Sequence, residues 1–274
     1  MWHLKPEELS SFNVGFVGFG QMGYAISEAM ACNVLKARTQ IHTYDPSECR
    51  QIFSKKSGFT VMNSLEDLQP VDIVVLCVKP NIARDTLAYI NHLIKGKLII
   101  SVMAGITVET LMQITNGCCR ICCVITNLAA SVGAASSAFT TSSTCTKEDE
   151  IIINKILESF GLSVGRISES CLDATMAIAG SGPALISIVV DALADAGVSN
   201  GLARNTALKL AAGMVKGTGT LLLQKDMHPG QLKDAVCSPG GITIKGVEEI
   251  EKGNVRSAFI EAINSACKKS KELR

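Results

Sequence analysis

A chain of α/β class, with a doubly wound, mainly parallel sheet in its first part and only helices in its second, is predicted by three features. An apolar strand, Asn13 to Gly18, runs straight into a GxGxxG turn at Gly18, Gly20 and Gly23. Continuous Val/Ile/Leu runs then alternate with amphipathic segments, and beyond about Glu169 the strand signal stops. Such unbroken apolar runs suit parallel strands covered on both faces.

The elements follow in order. After the glycine turn, a helix from Gln21 to about Cys32 leads to a second strand, Gln40 to Tyr44, which ends at Asp45, 22 residues beyond Gly23. A strand before GxGxxG, a helix after it and an acidic residue at that distance are the parts of a Rossmann-like dinucleotide site. The first glycine makes the turn, the second lets the backbone reach a pyrophosphate and the third lets the helix pack on the sheet. Asp45 is placed to accept hydrogen bonds from the adenosine ribose, and Gly18, Phe19, Gly20, Gln21, Met22 and Gly23 form the turn.

Further strands are predicted at Ile73 to Val78, Leu98 to Val102, Arg120 to Ile125, Ser137 to Thr140 and Leu162 to Ile167. Helices are expected at about Ile82 to Ile94 and Lys147 to Phe160. In an open parallel sheet the ligand crevice lies outside the carboxyl ends of the strands, so Val78, Lys79, Pro80, Ala104 and Gly105 should line it.

The all-helical remainder should contain Cys171 to Ala179, Gly182 to Val198, Leu202 to Gln224, Pro229 to Val236, Ile242 to Lys252 and Val255 to Leu273. The predicted division is residues 1–168 and 169–274. In the Gly182 helix, Ser187, Asp191 and Asp195 form one narrow polar stripe, so most of its circumference must be buried. The helix from Leu202 has a long apolar face and carries Gly213, Gly217 and Gly219, which permit close helix approach. A small helical domain has little interior for two such helices, so they are expected to meet a second copy.

Composition limits the classes of function. The 274 residues are 47% hydrophobic, with 26 basic and 25 acidic side chains and only 4% aromatic residues. Without a basic stripe or rings for stacking, nucleic acid is not an expected partner. No apolar run is expected to reach membrane-spanning length, and Met1 to Phe12 has the pattern of neither a signal nor a transit peptide, so a cytoplasmic location is expected. Of the 11 cysteines, Cys119 and Cys122 are spaced CxxC, but they fall on a strand and should face opposite sides of the sheet. No histidine lies near them in sequence, and no metal site is expected.

The turn in the stretch His228 to Gly246 carries the second chemical signal. Pro239 has no amide hydrogen, and Gly240 and Gly241 let the main chain bend and approach a ligand before the helix starts at Ile242. Free N–H groups there, aided by the positive end of the helix dipole, suit a carboxylate or phosphate at Gly240, Gly241, Ile242 and Thr243. A tight interhelical turn would use the same residues for geometry alone.

With both sites in view, the chain resembles the pyrroline-5-carboxylate reductases over nearly its whole length. The resemblance rests on GFVGFGQMGYAI (Gly15 to Ile26), VKP (Val78 to Pro80), AG (Ala104, Gly105), DATMAIAGSGPA (Asp173 to Ala184), DALADAGV (Asp191 to Val198) and HPGQLKDAVCSPGGITIKG (His228 to Gly246). It implies that Ser238 to Thr243 binds the substrate carboxylate and that Thr243 touches the ring nitrogen. It also implies that residues 169–274 form a substrate-binding and dimerisation domain, often assembled further, with active sites combining two chains. Asp226 matches a position where the family has an acidic residue close to the substrate. The implied cofactor is NADPH or NADH; Asp45 would repel a 2′-phosphate unless Ser47 or Arg50 reached it.

The chain departs from the family at Thr126, Asn127, Leu128 and Ala129, where the family has PNTP. Asn127 alone matches, as a nicotinamide contact, and loss of two prolines is expected to loosen that loop. Two other readings of the chain remain. A 3-hydroxy-acid dehydrogenase would need a lysine on the Gly182 helix, which has none. A non-catalytic dinucleotide sensor would share the same glycine turn.

Overall fold

The computed structural model describes residues 11–272. Eight strands, β1 (Val14–Val17), β2 (Ile41–Tyr44), β3 (Thr60–Val61), β4 (Ile73–Leu76), β5 (Leu98–Ser101), β6 (Arg120–Ile125), β7 (Ala135–Thr141) and β8 (Gly161–Arg166), form one sheet. Their order is β3-β2-β1-β4-β5-β6-β7-β8, parallel throughout except for the antiparallel β6/β7 pair. Val14 stands beside both Ile41 and Ile73, so the strand order reverses around β1.

Alternation along each strand builds a core on both faces. Val14 and Phe16 of β1 pack on one side with Ile26, Met30 and Phe139, while Val17 turns to the other with Val74, Leu87 and Ile121. Cys122 belongs to the first face and Cys119 and Cys123 to the second, as the strand period requires. Burial pushes the thiol of Cys119 up to about 11 and that of Cys122 well above its ordinary value.

The covering helices are α1 (Gln21–Asn33), α2 (Glu48–Lys56), α3 (Pro80–Ile90), α4 (Val108–Ile114) and α5 (Lys147–Glu158). α3 begins at Pro80 rather than Ile82, because proline is suited to the first helical position. α2 and α4 are further helices of the covering layers. Thr146 and Asp149 form a capping box at the start of α5, and Asp149, with its side chain only 2% exposed, also pairs with Arg120 at 2.6 Å. β6 is thereby tied to the helix that covers it.

The helical part comprises α6 (Leu172–Thr175), continued by a π-turn at Met176–Gly180, then α7 (Gly182–Ser199), α8 (Arg204–Lys225), α9 (Pro229–Val236), α10 (Ile242–Lys252) and α11 (Val255–Glu272). Leu273, the expected last residue of that helix, lies outside the described residues, as do residues 1–10 of the stretch read for targeting. The chain divides into two compact units, Met1–Gly180 with Ala266–Arg274, and Ser181–Ser265.

Within the first unit, the hydroxyl of Ser270 donates to Asp173 Oδ1 at 2.7 Å. Within the second, α7 and α8 approach closely at Gly197, where an added Cβ would lie 3.0 Å from that of Ala207. A Cβ added to Gly213, Gly217 or Gly219, the glycines expected to allow close approach, would meet nothing within 4 Å among the described residues. Gly213 and Gly217 instead lie on the side of α8 that carries exposed Leu210 and Met214, and Gly219 is exposed on the opposite side.

One expectation is corrected. The helical stretch Glu169–Ser199, 31 residues, is long and apolar enough by length and composition to cross a membrane. Small residues such as Thr175, Gly180, Ser181 and Ser187 interrupt the apolar run to the eye without adding charge, which is why the sequence pattern hides it.

Candidate functional site

The glycine turn is built as its spacing demands. Gly18 has φ +92°, and a Cβ there would lie 2.8 Å from the carbonyl carbon and oxygen of Cys77, so only glycine can pass over the end of β4. A Cβ at Gly23 would lie 2.5 Å from the Gly18 carbonyl oxygen, which forces α1 close to the turn. Gly20 differs: it is the N-cap of α1, and a Cβ there would meet nothing within 4 Å. No side chain caps this helix and no acidic residue occupies its first turn. An open backbone at an uncapped helix start fits a pyrophosphate, with Gln21 exposed and Met22 half-buried behind it.

Asp45 is fixed to the same turn. Its Oδ2 accepts from the Phe19 amide at 2.8 Å and its Oδ1 from the Ser47 amide at 3.0 Å. Phe19 therefore acts indirectly: its amide is spent on Asp45, and its fully buried ring packs edge-on against Tyr24 and Phe59. Across the switch point, Cys77 and Val78 continue beyond β4, Lys79 caps α3 and Pro80 opens it. Ala104 is exposed and Gly105 takes a left-handed φ of +74° beyond β5. These residues all lie at the carboxyl ends of β1, β2, β4 and β5, on one side of the sheet.

Asn127, just past β6, has both ends of its side chain engaged. Its Oδ1 accepts from the Ala129 amide and caps the short helix Leu128–Val132, while its Nδ2 donates to the Ala179 carbonyl, each at 3.0 Å. Thr126 accepts from the Ser137 hydroxyl at 2.8 Å. The loop is consequently held by side chains rather than loosened: Ala129 offers an amide hydrogen that proline lacks, and Thr126 offers a hydroxyl. This corrects the expectation drawn from the missing prolines. The Asn127 cap is visible in the sequence as an Asn ahead of a helix start, whereas its hold on Ala179, 52 residues away, is not.

In the second unit, the Gly241 amide donates to the Ser238 carbonyl at 3.0 Å, closing a tight turn with Pro239 and left-handed Gly240 (φ +66°) at its centre, so this N–H, expected to be free for an anion, is used within the turn. A side chain on Gly241 would run into the Ser238 hydroxyl. Gly241 is the N-cap of α10, with no side-chain cap and no acidic residue in the first turn. Ile242 and Thr243 are exposed at the helix start, so the opening amides and the Thr243 hydroxyl face outward from an uncapped positive dipole. Asp226 caps the end of α8 in the left-handed region, φ +47°, where a non-glycine residue is strained.

A groove of about 780 Å³ lies at the opposite end of the sheet, beside Asp72, Lys97, Arg120 and Asp149. Two of its cations are engaged within the chain: Lys97 Nζ donates to the carbonyls of Leu68, Gln69 and Val71, and Arg120 to Asp149. Among the described residues, no group of three or more His, Cys, Asp or Glu is arranged to hold a metal ion.

A glycine turn at a topological switch point, joined to a helical half with an anion-suited turn, defines the class of two-part dinucleotide-binding oxidoreductases. Residues 13–105 match the family model described as NADP oxidoreductase coenzyme F420-dependent, and residues 169–273 match pyrroline-5-carboxylate reductase dimerisation. The chain is 36% identical to pyrroline-5-carboxylate reductase from Pisum sativum, over 98% of this chain and 99% of that protein. A crystal structure of Plasmodium falciparum pyrroline carboxylate reductase with NADP bound superposes with a TM-score of 0.86 at 32% identity, covering 97% of this chain and 99% of that one. The reductase from Coxiella burnetii superposes with a TM-score of 0.90 at 28% identity, covering 96% and 98%. The chain belongs to the pyrroline-5-carboxylate reductase family.

Proposed function

We propose that this chain reduces the C=N bond of 1-pyrroline-5-carboxylate to give L-proline, the last step of proline biosynthesis, with NADPH or NADH as reductant. The observation that carries this reading is the uncapped start of α10 behind the Ser238–Gly241 turn, which offers outward amides to a carboxylate in a chain of this family. The reduced nicotinamide, when bound, supplies the hydride.

The chain's own residues do the rest by holding and orienting. Gly20 and the α1 amides receive the pyrophosphate, and Asp45 accepts from the ribose hydroxyls. Val78, Lys79, Pro80, Ala104 and Gly105 line the crevice, and the Asn127 loop borders it. Ser238, Gly240, Gly241 and Ile242 seat the substrate carboxylate, and the Thr243 hydroxyl bonds the ring nitrogen, keeping the imine polarised. Asp226 stabilises the positive charge of the protonated imine. Orientation of this kind can lower a barrier by roughly 7 to 11 kcal/mol, so no strong base is required.

Residues 169–274 act as the substrate-binding and dimerisation domain of a homodimer, assembled further into a larger homo-oligomer, in the cytoplasm. In this reading the apolar surface of α7 and α8 meets a second copy rather than lipid, which supports a role for the open Gly213, Gly217 and Gly219. The test is to mix purified protein with racemic pyrroline-5-carboxylate and NADPH or NADH and to follow loss of reduced-nicotinamide absorbance. Turnover to proline is expected. Tight cofactor binding without turnover would make the chain a sensor instead.

A further inference from the structure

We infer that Asp45 selects against a phosphorylated adenosine ribose, so that this chain binds NADH in preference to NADPH. The inference rests on the reading of the glycine crevice as a dinucleotide site and adds a choice between two cofactors that this reading leaves open. Asp45 follows β2 directly, and the Gly18 amide donates to the Tyr44 carbonyl at 2.8 Å, so the end of β2 is pinned beside the glycine turn. That is where the hydroxyls of an adenosine ribose fall in a sheet of this order.

The carboxylate cannot turn away cheaply. Phe19 and Ser47 each donate a main-chain N–H to a different oxygen, and rotation of the side chain would leave both donors unpaired. Each oxygen keeps a second lone pair, which suits a ribose diol: two hydroxyl donors meet an acceptor of full negative charge. A 2′-phosphate replaces one of those two donors, leaving only the 3′-hydroxyl, and brings close to two negative charges toward a third.

The surrounding turn does not compensate. Within Asp45–Arg50, Pro46 has no N–H, the Ser47 N–H is used by Asp45, and Glu48 puts a second carboxylate in the first turn of α2, where a phosphate would otherwise profit from the helix dipole. Arg50 is the one cation of this six-residue segment, against two acids, Asp45 and Glu48.

Isothermal titration calorimetry of the purified protein with NADH and NADPH, without substrate, tests this directly. NADH is expected to bind about tenfold tighter or more, with the gap narrowing at high salt. Asp45→Asn, which keeps an oxygen for the Phe19 amide but removes the charge, should move the affinity ratio toward NADPH by about tenfold. Asp45→Ser should move it the same way. Equal wild-type affinities, or a ratio unchanged in both variants, would overturn the assignment while leaving the crevice a dinucleotide site. Binding of neither cofactor would overturn the dinucleotide reading and this inference together.

Discussion

Gly18 shows how one backbone position carries the nucleotide half of the molecule. Its φ of +92° and the 2.8 Å separation between a would-be Cβ and Cys77 leave no room for a side chain. Gly18→Ala is expected to cost about 1–3 kcal/mol in backbone strain alone, read as a lowered thermal midpoint, and to weaken cofactor binding in the same protein. At Thr243 the expected effect is chemical rather than structural. Thr243→Ala should lower kcat/KM by about ten- to a hundredfold while leaving the thermal midpoint and cofactor affinity unchanged, and Thr243→Ser should restore most of the rate. An unaffected rate in steady-state assays would remove Thr243 from the site. The thiols separate by burial. Cys32 and Cys49 are exposed, whereas Cys119 is buried with its thiol pushed up to about 11. A thiolate-specific reagent at pH 8 should label the first two quickly and Cys119 and Cys122 only after denaturation.

At the level of elements, the two sites differ in how much of them sequence carries. The spacing of Gly18, Gly20, Gly23 and Asp45 contains the whole local logic of the β1-α1-β2 unit, because its contacts are between neighbours in the sheet. The turn before α10 is equally local: proline, two glycines and a helix start within five residues. The Asn127 loop is not. Where the family resemblance would place two prolines, this chain holds the loop with hydrogen bonds to Ala129, Ala179 and, through Thr126, Ser137. Asn127→Ala should lower stability by about 1–2 kcal/mol and raise KM for the cofactor, measured by urea unfolding and by steady-state kinetics. The tie between β6 and α5 depends on a similar long-range pair. Asp149→Ala removes the acceptor of the Thr146 amide, half of the capping box, together with the partner of Arg120, and a loss of about 3 kcal/mol in urea unfolding is expected, with little effect on cofactor affinity.

For the whole molecule, the surface of α8 is the feature with most consequence. Leu210, Met214 and Leu221 are exposed along one stripe, with Gly217 among them opening onto empty space. A stripe of this kind is stable in water when a second helix covers it, so sedimentation should give a dimer or a multiple of it in buffer without detergent. Leu210→Glu with Met214→Glu should shift the protein to monomer and remove activity together. The sequence by itself determined the class of fold, the glycine turn and the Pro-Gly-Gly turn before α10, because each is written in spacing between near neighbours and in residues with a unique backbone role. It also marked α7 and α8 as helices needing burial. Only the tertiary structure decided which partners complete those elements: the Phe19 amide that fixes Asp45, the carbonyl of Ala179 that receives Asn127, and the Ala207 contact that lets α7 meet α8 at Gly197. Such contacts depend on where distant segments are brought by packing, and periodicity along the chain contains no record of that distance.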